Sequence, residues 1–201
     1  MTVETAIDGV LLAAGSSSRF GPGVAKQLAE LGGEPLVLRA ALALVRSRLR
    51  RVIVVTGSHD AEVRRVLEGL EVLVVHNPSW EEGQSTSVRA GLLSVGRSAD
   101  GVCFSPCDQP FLDATTVDLL VSSFDPDLRP IVVPACGGRR GAPVLFARRF
   151  FEELLVIEGD RGGREVLSKH VDLVSEVELG SEKPLLDVDT MDELDRFRRF
   201  L

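Results

Sequence analysis

Apolar residues along this chain fall into two alternating patterns. Short, continuously apolar runs occur at Gly9 to Ala13, Val52 to Val55, Val72 to Val75, Val102 to Phe104, Ile131 to Val133 and Val144 to Phe146. Runs without polar alternation suit strands covered on both faces. Between them, apolar residues recur at helical spacing. Leu38, Ala41, Leu42, Val45 and Leu49 form one stripe after Pro35, a residue that suits a first helical turn. Val63, Val66, Leu67 and Leu70 form another after Asp60, which reads as an N-cap. Val88, Leu92 and Val95 make a third stripe, and Val117, Leu120, Val121 and Phe124 a fourth. This β-α-β-α order predicts a Rossmann-like, three-layer α/β/α fold around a mainly parallel sheet.

Beyond Pro134 the pattern loosens. The glycine-rich segment Gly137 to Gly141 leads into the run at Val144, and two helices, near Arg148 to Leu155 and Gly163 to Lys169, flank E-G-D-R-G-G-R. A strand is predicted at Val174 to Val177, followed by P-L-L-D-V-D. The last helix opens at Thr190 with Glu193 three positions on, the spacing of a capping box, and turns Leu194, Phe197 and Leu201 inward. No repeat, linker or low-complexity tract interrupts the chain, so residues 1–201 read as one domain.

The first strand opens into a different kind of sequence, A-G-S-S-S-R-F-G-P-G-V-A-K-Q. Ala14, Gly15 and Ser16 are small enough to let backbone approach a ligand, and Arg19 and Lys26 add two cations. In a parallel sheet, ligands bind outside the carboxyl ends of the strands, where this loop belongs. Backbone N–H groups and fixed positive charge together suit a polyphosphate. The segment is neither G-x-x-x-x-G-K-[ST] nor G-x-G-x-x-G.

Composition narrows the choice of ligand. The formal net charge is −7, with 44% hydrophobic and 26% charged residues. That balance argues against general nucleic-acid binding and against an anionic membrane surface. A polyanionic ligand then needs local cations or a divalent metal. No apolar run approaches the roughly 18 residues of a membrane span, and M-T-V-E-T-A-I-D lacks the basic start and apolar core of a signal peptide. Three cysteines, Cys103, Cys107 and Cys136, show no C-x-x-C spacing and read as reduced thiols. The expectation is a cytoplasmic protein.

Four further segments carry candidate chemistry. Asp108, in F-S-P-C-D-Q-P, stands just past a buried strand, where one carboxylate can hold Mg²⁺ over phosphates. In D-V-D-T, strand alternation puts Asp187 and Asp189 on one face, so either can complete such a site. In N-P-S-W-E-E-G-Q-S-T-S-V-R-A-G, Gly83 permits close approach and Ser87 lies on the first turn of a helix, an arrangement that can read a nucleobase edge. Trp80 reads as packing. Asp160 and Arg164, in G-D-R-G-G-R, suit an anionic second substrate. Each segment alone also fits a structural job: a glycine turn, a braced proline turn, solvated acids or a plain N-cap. His59, His76 and His170 lie outside all of them and read as surface residues.

Together these stretches carry a resemblance. L-A-A-G-x-S-x-R-F-G with Lys26, N-P-x-W-x-x-G-x-x-x-S-V-R-A-G-L, C-D-Q-P, G-R-R-G-x-P-V-L-F, G-D-x-G-x-R and D-V-D-T-x-x-E-L resemble the MobA-like nucleotidyltransferases. Within that family the likeness is strongest to the molybdenum cofactor cytidylyltransferase group, and it runs from Val10 to Leu194. The resemblance implies transfer of CMP from CTP to a molybdopterin-type molybdenum cofactor, with Mg²⁺ required and pyrophosphate released. It assigns Arg19 and Lys26 to the triphosphate, Asp108 to the metal and Asp189 as the second ligand. Ala13, Ala14, Gly83 and Ser87 fall to the base site, and Gly141, Asp160 and Arg164 to the acceptor. L-A-A-G matches the cytidylyl rather than the guanylyl branch. Two departures stand out: four residues, Pro22 to Ala25, separate Gly21 from Lys26, and Ala142 stands where the cytidylyl branch often has His. A GTP-dependent or other-acceptor transferase of the same fold stays open as an alternative. So does a non-catalytic nucleotide or cofactor chaperone serving a molybdenum hydroxylase.

Overall fold

Ile7–Ala13 forms β1, the strand from which the sheet extends in both directions. The structure is a computed structural model and describes residues 5–16, 20 and 25–199. After β1 come β2 (Glu30–Leu31), β3 (Glu34–Pro35), α1 (Leu36–Val45), β4 (Arg51–Thr56), α2 (Asp60–Val66), β5 (Val72–His76) and α3 (Gln84–Leu93). Next are β6 (Gly101–Pro106), α4 (Ala114–Ser123), β7 (Ile131–Cys136), β8 (Arg139–Arg140), β9 (Val144–Ala147) and α5 (Phe151–Leu155). The chain closes through α6 (Arg164–Lys169), β10 (Val174–Glu178) and α7 (Met191–Arg198).

The eight-stranded sheet has the order β10-β7-β9-β6-β1-β4-β5, with β8 paired to β7. β1 runs parallel to β4, with Leu11 opposite Val54, and parallel to β6, with Val10 opposite Phe104. β9 is antiparallel to both β6 and β7. Among the described residues the sheet is therefore mainly parallel, as the apolar runs predict. α1 packs with α2 and α4, and α3 with α5, giving helical layers over the strands. Gly91 lets α3 close on β1, because a Cβ there would run into Val10.

The strand order fixes where a ligand can go. Leaving β1, the chain builds outward through β4 and β5, then returns to place β6 on the other side of β1. Helices at such a reversal diverge and leave a crevice at the carboxyl ends of the two strands. The loop after Ala13 and the turn after Pro106 both open into it.

Local differences from the sequence reading have physical causes. α1 stops at Val45, although the apolar spacing continues to Leu49; the Ser47 hydroxyl takes the Leu44 carbonyl at 2.7 Å and ends the turn. Asp60 is the first residue of α2 rather than its N-cap, which is His59. Its carboxylate accepts from the Thr56 hydroxyl and from Arg64 Nε. Residues 186–189 are irregular rather than a strand, since they pair with Asp108 only through one backbone hydrogen bond. The capping box at Thr190 and Glu193 forms as predicted. Leu194 is fully buried beside Phe20, Leu31, Leu36 and Val188 in a small second core; Leu201 lies outside the described residues. No described helix is long and apolar enough to cross a membrane.

Candidate active site

The crevice between β1 and β6 is a cleft of about 490 Å³, within the size range of small-molecule sites. One wall is the loop after β1, with Ala14, Gly15 and Ser16, followed by Phe20 and Lys26. The opposite wall carries Trp80, Gly83, Gln84 and Ser87 at the start of α3. Pro106, Cys107 and Asp108 form the floor, and Asp160 and Asp189 close the sides.

The loop after β1 is held through its carbonyl oxygens. Gln27 is 2% exposed, and its Nε2 donates to the carbonyls of Ala13 at 3.3 Å and Gly15 at 2.8 Å. The Ser58 hydroxyl also donates to Gly15, at 3.1 Å, and the Ser58 N–H to Ala14, at 3.4 Å. A backbone segment tied by its acceptors is held in a fixed shape from the protein side. Gly57 is part of that support. A Cβ there would strike the Ala14 carbonyl and approach Trp80 Cβ to 2.8 Å, so only glycine lets the tryptophan sit so close to the loop. Trp80 packs on the core, as expected, and also lines the cleft.

Lys26 begins a short 3₁₀ turn, Lys26–Leu28, that points its side chain back into the cleft. Its Nζ lies 2.6 Å from Asp108 Oδ2 and 3.0 Å from Asp189 Oδ1. Burial disfavours the ammonium. The charge and hydrogen bonds of Asp108, then of Asp189, outweigh that cost and raise the Lys26 pKa. An ammonium bridging two carboxylates stands in for a cation at that point. Two hard oxygen donors opening on a cleft are also the set that Mg²⁺ or Mn²⁺ takes with phosphate oxygens. The residues present therefore fit a divalent metal held by Asp108 and Asp189. Asp187 is exposed and is not among the residues that line the cleft. Beside Asp108, burial and then the neighbouring carboxylate push the Cys107 thiol up to about 12, so it is not a thiolate nucleophile at neutral pH.

The start of α3 is organised by Asn77. Its Nδ2 donates to Thr86 Oγ1 at 2.8 Å and Ser87 Oγ at 3.0 Å, and its Oδ1 accepts the Ser79 N–H at 3.1 Å. Ser87, accepting from Asn77, keeps one hydroxyl hydrogen to donate. Gly83 adopts φ +112°, and a Cβ there would meet Asp160 Oδ1 and the Gly159 carbonyl carbon at 2.8 Å. Asp160 in turn accepts the Gln84 N–H at 3.3 Å. The G-D-R-G-G-R segment is thus docked on the helix start. Arg89, further along α3, holds the stretch just before that segment by donating to the carbonyls of Leu155 and Ile157 at 3.0 and 3.2 Å.

The structure brings Ala14, Gly15, Ser16, Lys26, Gly83, Ser87, Asp108, Asp160 and Asp189 around one cleft. Ala13 sits just behind it, its carbonyl turned to Gln27. Arg164 is exposed on α6 in a shallower depression of about 450 Å³ that shares Asp160 with the cleft. Gly141 lies against Leu185, beyond the residues that line the cleft. Arg19 and Pro22 to Val24 lie outside the described residues. Gln27, Asn77 and Arg89 were missed as site-forming residues. The K-Q pair and the S-V-R-A-G motif were the available signals, but their partners are backbone carbonyls and helix hydroxyls with no sequence signature.

The family described as the MobA-like NTP transferase domain matches residues 9–174. A nicotine blue oxidoreductase from Paenarthrobacter nicotinovorans is 30% identical over 203 residues, covering 94% of this chain and 95% of that protein. The molybdenum cofactor cytidylyltransferase of Escherichia coli K12 is 26% identical over 193 residues, covering 94% of each. Among solved structures, Rv0371c from Mycobacterium tuberculosis matches with a TM-score of 0.82 at 28% identity, covering 98% of this chain and all of the other. A complex of Rv0371c with manganese matches at 0.77 and 27% identity.

Proposed function

The chain belongs to the MobA-like NTP transferase family, and on that premise we propose that it transfers CMP from CTP to the terminal phosphate of a molybdopterin-type molybdenum cofactor. The observation that carries this reading is the Lys26 ammonium between Asp108 and Asp189, at the sheet reversal and beside the loop after β1. The full-length relative named as a molybdenum cofactor cytidylyltransferase supports the choice of nucleotide and acceptor.

In this reading a phosphate oxygen of the acceptor attacks the α-phosphorus of CTP in line. The bond from the α-phosphorus to the bridging oxygen breaks, and pyrophosphate departs. Such a reaction needs positioning and charge neutralisation more than covalent help. Lys26, with Arg19, holds triphosphate oxygens and stabilises the charge that builds on them. Ala14, Gly15 and Ser16 shape the loop around the phosphates. Gly83 and Ser87, with Ala13 and Ala14, form the base site, where the Ser87 hydroxyl hydrogen is one donor. Asp108 and Asp189 would hold a divalent metal, Mg²⁺ in this reading, which supplies further neutralisation of the phosphates when bound. Asp160, on the cleft, and Arg164, in the adjoining depression, are the acceptor contacts in this reading, while Gly141, which lies outside both, shapes the chain further off. The product would pass to a molybdenum hydroxylase.

Pyrophosphate release, measured with each NTP with and without molybdenum cofactor, tests the reading. Release only with CTP, cofactor and a divalent metal together is expected. Release with GTP in place of CTP overturns the nucleotide assignment, and CTP turnover with another phosphorylated acceptor alone overturns the acceptor. No release under any combination overturns transferase activity itself.

A further inference from the structure

Glu193 is in the first turn of α7 and does not line the cleft. One of its oxygens, Oε2, accepts two backbone N–H groups, that of Asp189 at 2.8 Å and that of Thr190 at 2.9 Å. An ordinary capping box needs only the second. The first reaches one residue further back and fixes the backbone of a residue whose side chain meets Lys26. The preceding residue completes the frame: Val188 N–H donates to the Asp108 carbonyl at 2.9 Å, and the Val188 side chain is fully buried beside Leu194 of α7. Residues 108 and 189 are far apart in the sequence, yet both are tied to the short segment that leads into α7.

We propose that Glu193 is a positioning residue for the carboxylate pair, holding Asp189 at the spacing from Asp108 at which both can share one cation. The inference rests on the reading of Asp189 as a metal ligand. Asp189 itself follows an irregular segment with no strand neighbours. Without the N–H anchor, its backbone gains rotational freedom that must be lost again each time a cation binds. Groups that orient ligands in this way commonly govern about 10–100-fold in metal affinity.

The test is Mn²⁺ affinity, followed by electron paramagnetic resonance in the presence of saturating α,β-methylene-CTP, with the melting temperature recorded for every variant. Glu193→Ala should weaken Mn²⁺ binding by about 10-fold or more. Glu193→Gln keeps a carbonyl oxygen with two lone pairs and should stay within about 3-fold of the parent. Thr190→Ala removes the other half of the capping box without releasing the Asp189 N–H; it should lower the melting temperature but leave Mn²⁺ affinity within the same limit. If Glu193→Ala does not fold, Glu193→Asp, whose carboxylate is one methylene short, replaces it with the same expectation. Unchanged Mn²⁺ affinity in the truncated variant overturns the proposal. So does an equal loss in Thr190→Ala, or a loss in Glu193→Gln as large as in Glu193→Ala. Asp189→Asn separates the two levels. If it binds Mn²⁺ as the parent does, the ligand assignment fails; if it loses Mn²⁺ while Glu193→Ala does not, only the positioning role fails.

Discussion

Lys26 Nζ lies 2.6 Å from Asp108 Oδ2, across 82 positions of sequence and across the cleft between β1 and β6. The same ammonium is 3.0 Å from Asp189. The cation proposed to serve the triphosphate thus neutralises the two acids proposed to serve the metal. On that proposal, ammonium and divalent metal share one pair of carboxylates.

Lys26→Ala separates those effects. Without nucleotide, the variant should bind Mn²⁺ more tightly than the parent, because the competing ammonium is gone. Turnover should move the other way. A pre-placed cation favours the transition state over the ground state, and losing one such contact commonly costs about 10²–10³ in rate, roughly 3–4 kcal/mol. Steady-state kinetics should show a large fall in kcat and a modest change in the KM for CTP. A rise in KM with kcat intact identifies Lys26 as a uniform binding contact instead.

Asp108→Asn is nearly isosteric and leaves the backbone hydrogen bond from Val188 in place. The fold should survive, with an unchanged far-ultraviolet circular dichroism spectrum. Divalent-metal-dependent turnover should be lost, and calorimetry should show weaker Mn²⁺ binding. Near-normal activity in this variant removes Asp108 from the metal site.

The buried strands were legible because each is a continuous apolar run, and the phosphate loop because its residue types change abruptly after Ala13. Lys26, Asp108 and Asp189 stood out by chemistry and by motif. Asp189 was expected beside Asp108; the Lys26 ammonium between the two acids was not, since contact between residues 26 and 189 depends on how the end of the chain returns to the cleft. The direction of β9 was hidden for a similar reason: an apolar run looks the same parallel or antiparallel. Asp8 was passed over entirely. A carboxylate at the head of an apolar run reads as the solvent end of a strand, whereas it is fully buried inside β1.

That aspartate anchors the end of the sheet away from the cleft. Asp8 Oδ1 and Oδ2 accept Arg50 Nε and Nη2 at 2.9 and 3.0 Å, and Oδ2 also accepts the Gly96 N–H at 2.8 Å. Truncation leaves the Gly96 N–H without its acceptor, whereas the Arg50 guanidinium is exposed and turns to water. Leaving such a donor unmade typically costs about 1–3 kcal/mol. Urea unfolding of Asp8→Ala should show a loss of that order, while kcat per folded molecule stays near the parent value. A loss below about 1 kcal/mol, the range of an exposed pair, contradicts the buried anchor.

Glu193 sets a pH dependence. Its pKa is lowered by the Asp189 N–H first, then by the Thr190 hydroxyl and N–H, against the cost of desolvation. A carboxylate with a depressed folded-state pKa contributes stability that is complete above its unfolded value, about 4.3, and is lost as pH falls through the folded value. Melting temperatures recorded from pH 6 downward should therefore fall less steeply for Glu193→Gln, which has no proton to take up, than for the parent. Identical slopes mean that Glu193 does not couple protonation to folding.

The last prediction concerns Gly83, where backbone and neighbours both exclude a side chain. Its φ of +112° lies in a region that residues with a Cβ rarely adopt, and holding one there costs about 1–3 kcal/mol. A Cβ at this position would also press on Asp160 Oδ1 and on the Gly159 carbonyl carbon, each 2.8 Å away. One contact can yield by rotation of the aspartate; the other is backbone and yields only if the segment shifts. Gly83→Ala should therefore act twice. It should lower the melting temperature by several degrees, as a loss of about 1–2 kcal/mol does in a chain of this size. It should also displace Asp160 from the Gln84 N–H and disturb the start of α3, where the base is proposed to bind. Calorimetric affinity for CTP should then fall by about 10-fold, the equivalent of 1.4 kcal/mol. Asp160→Ala is the companion measurement. It clears the side-chain clash, so the double variant Gly83→Ala with Asp160→Ala should recover part of the lost stability, with a favourable coupling between the sites. If Gly83→Ala lowers stability but binds CTP like the parent, the strained glycine serves the fold alone and the base contact must be sought elsewhere on the cleft wall.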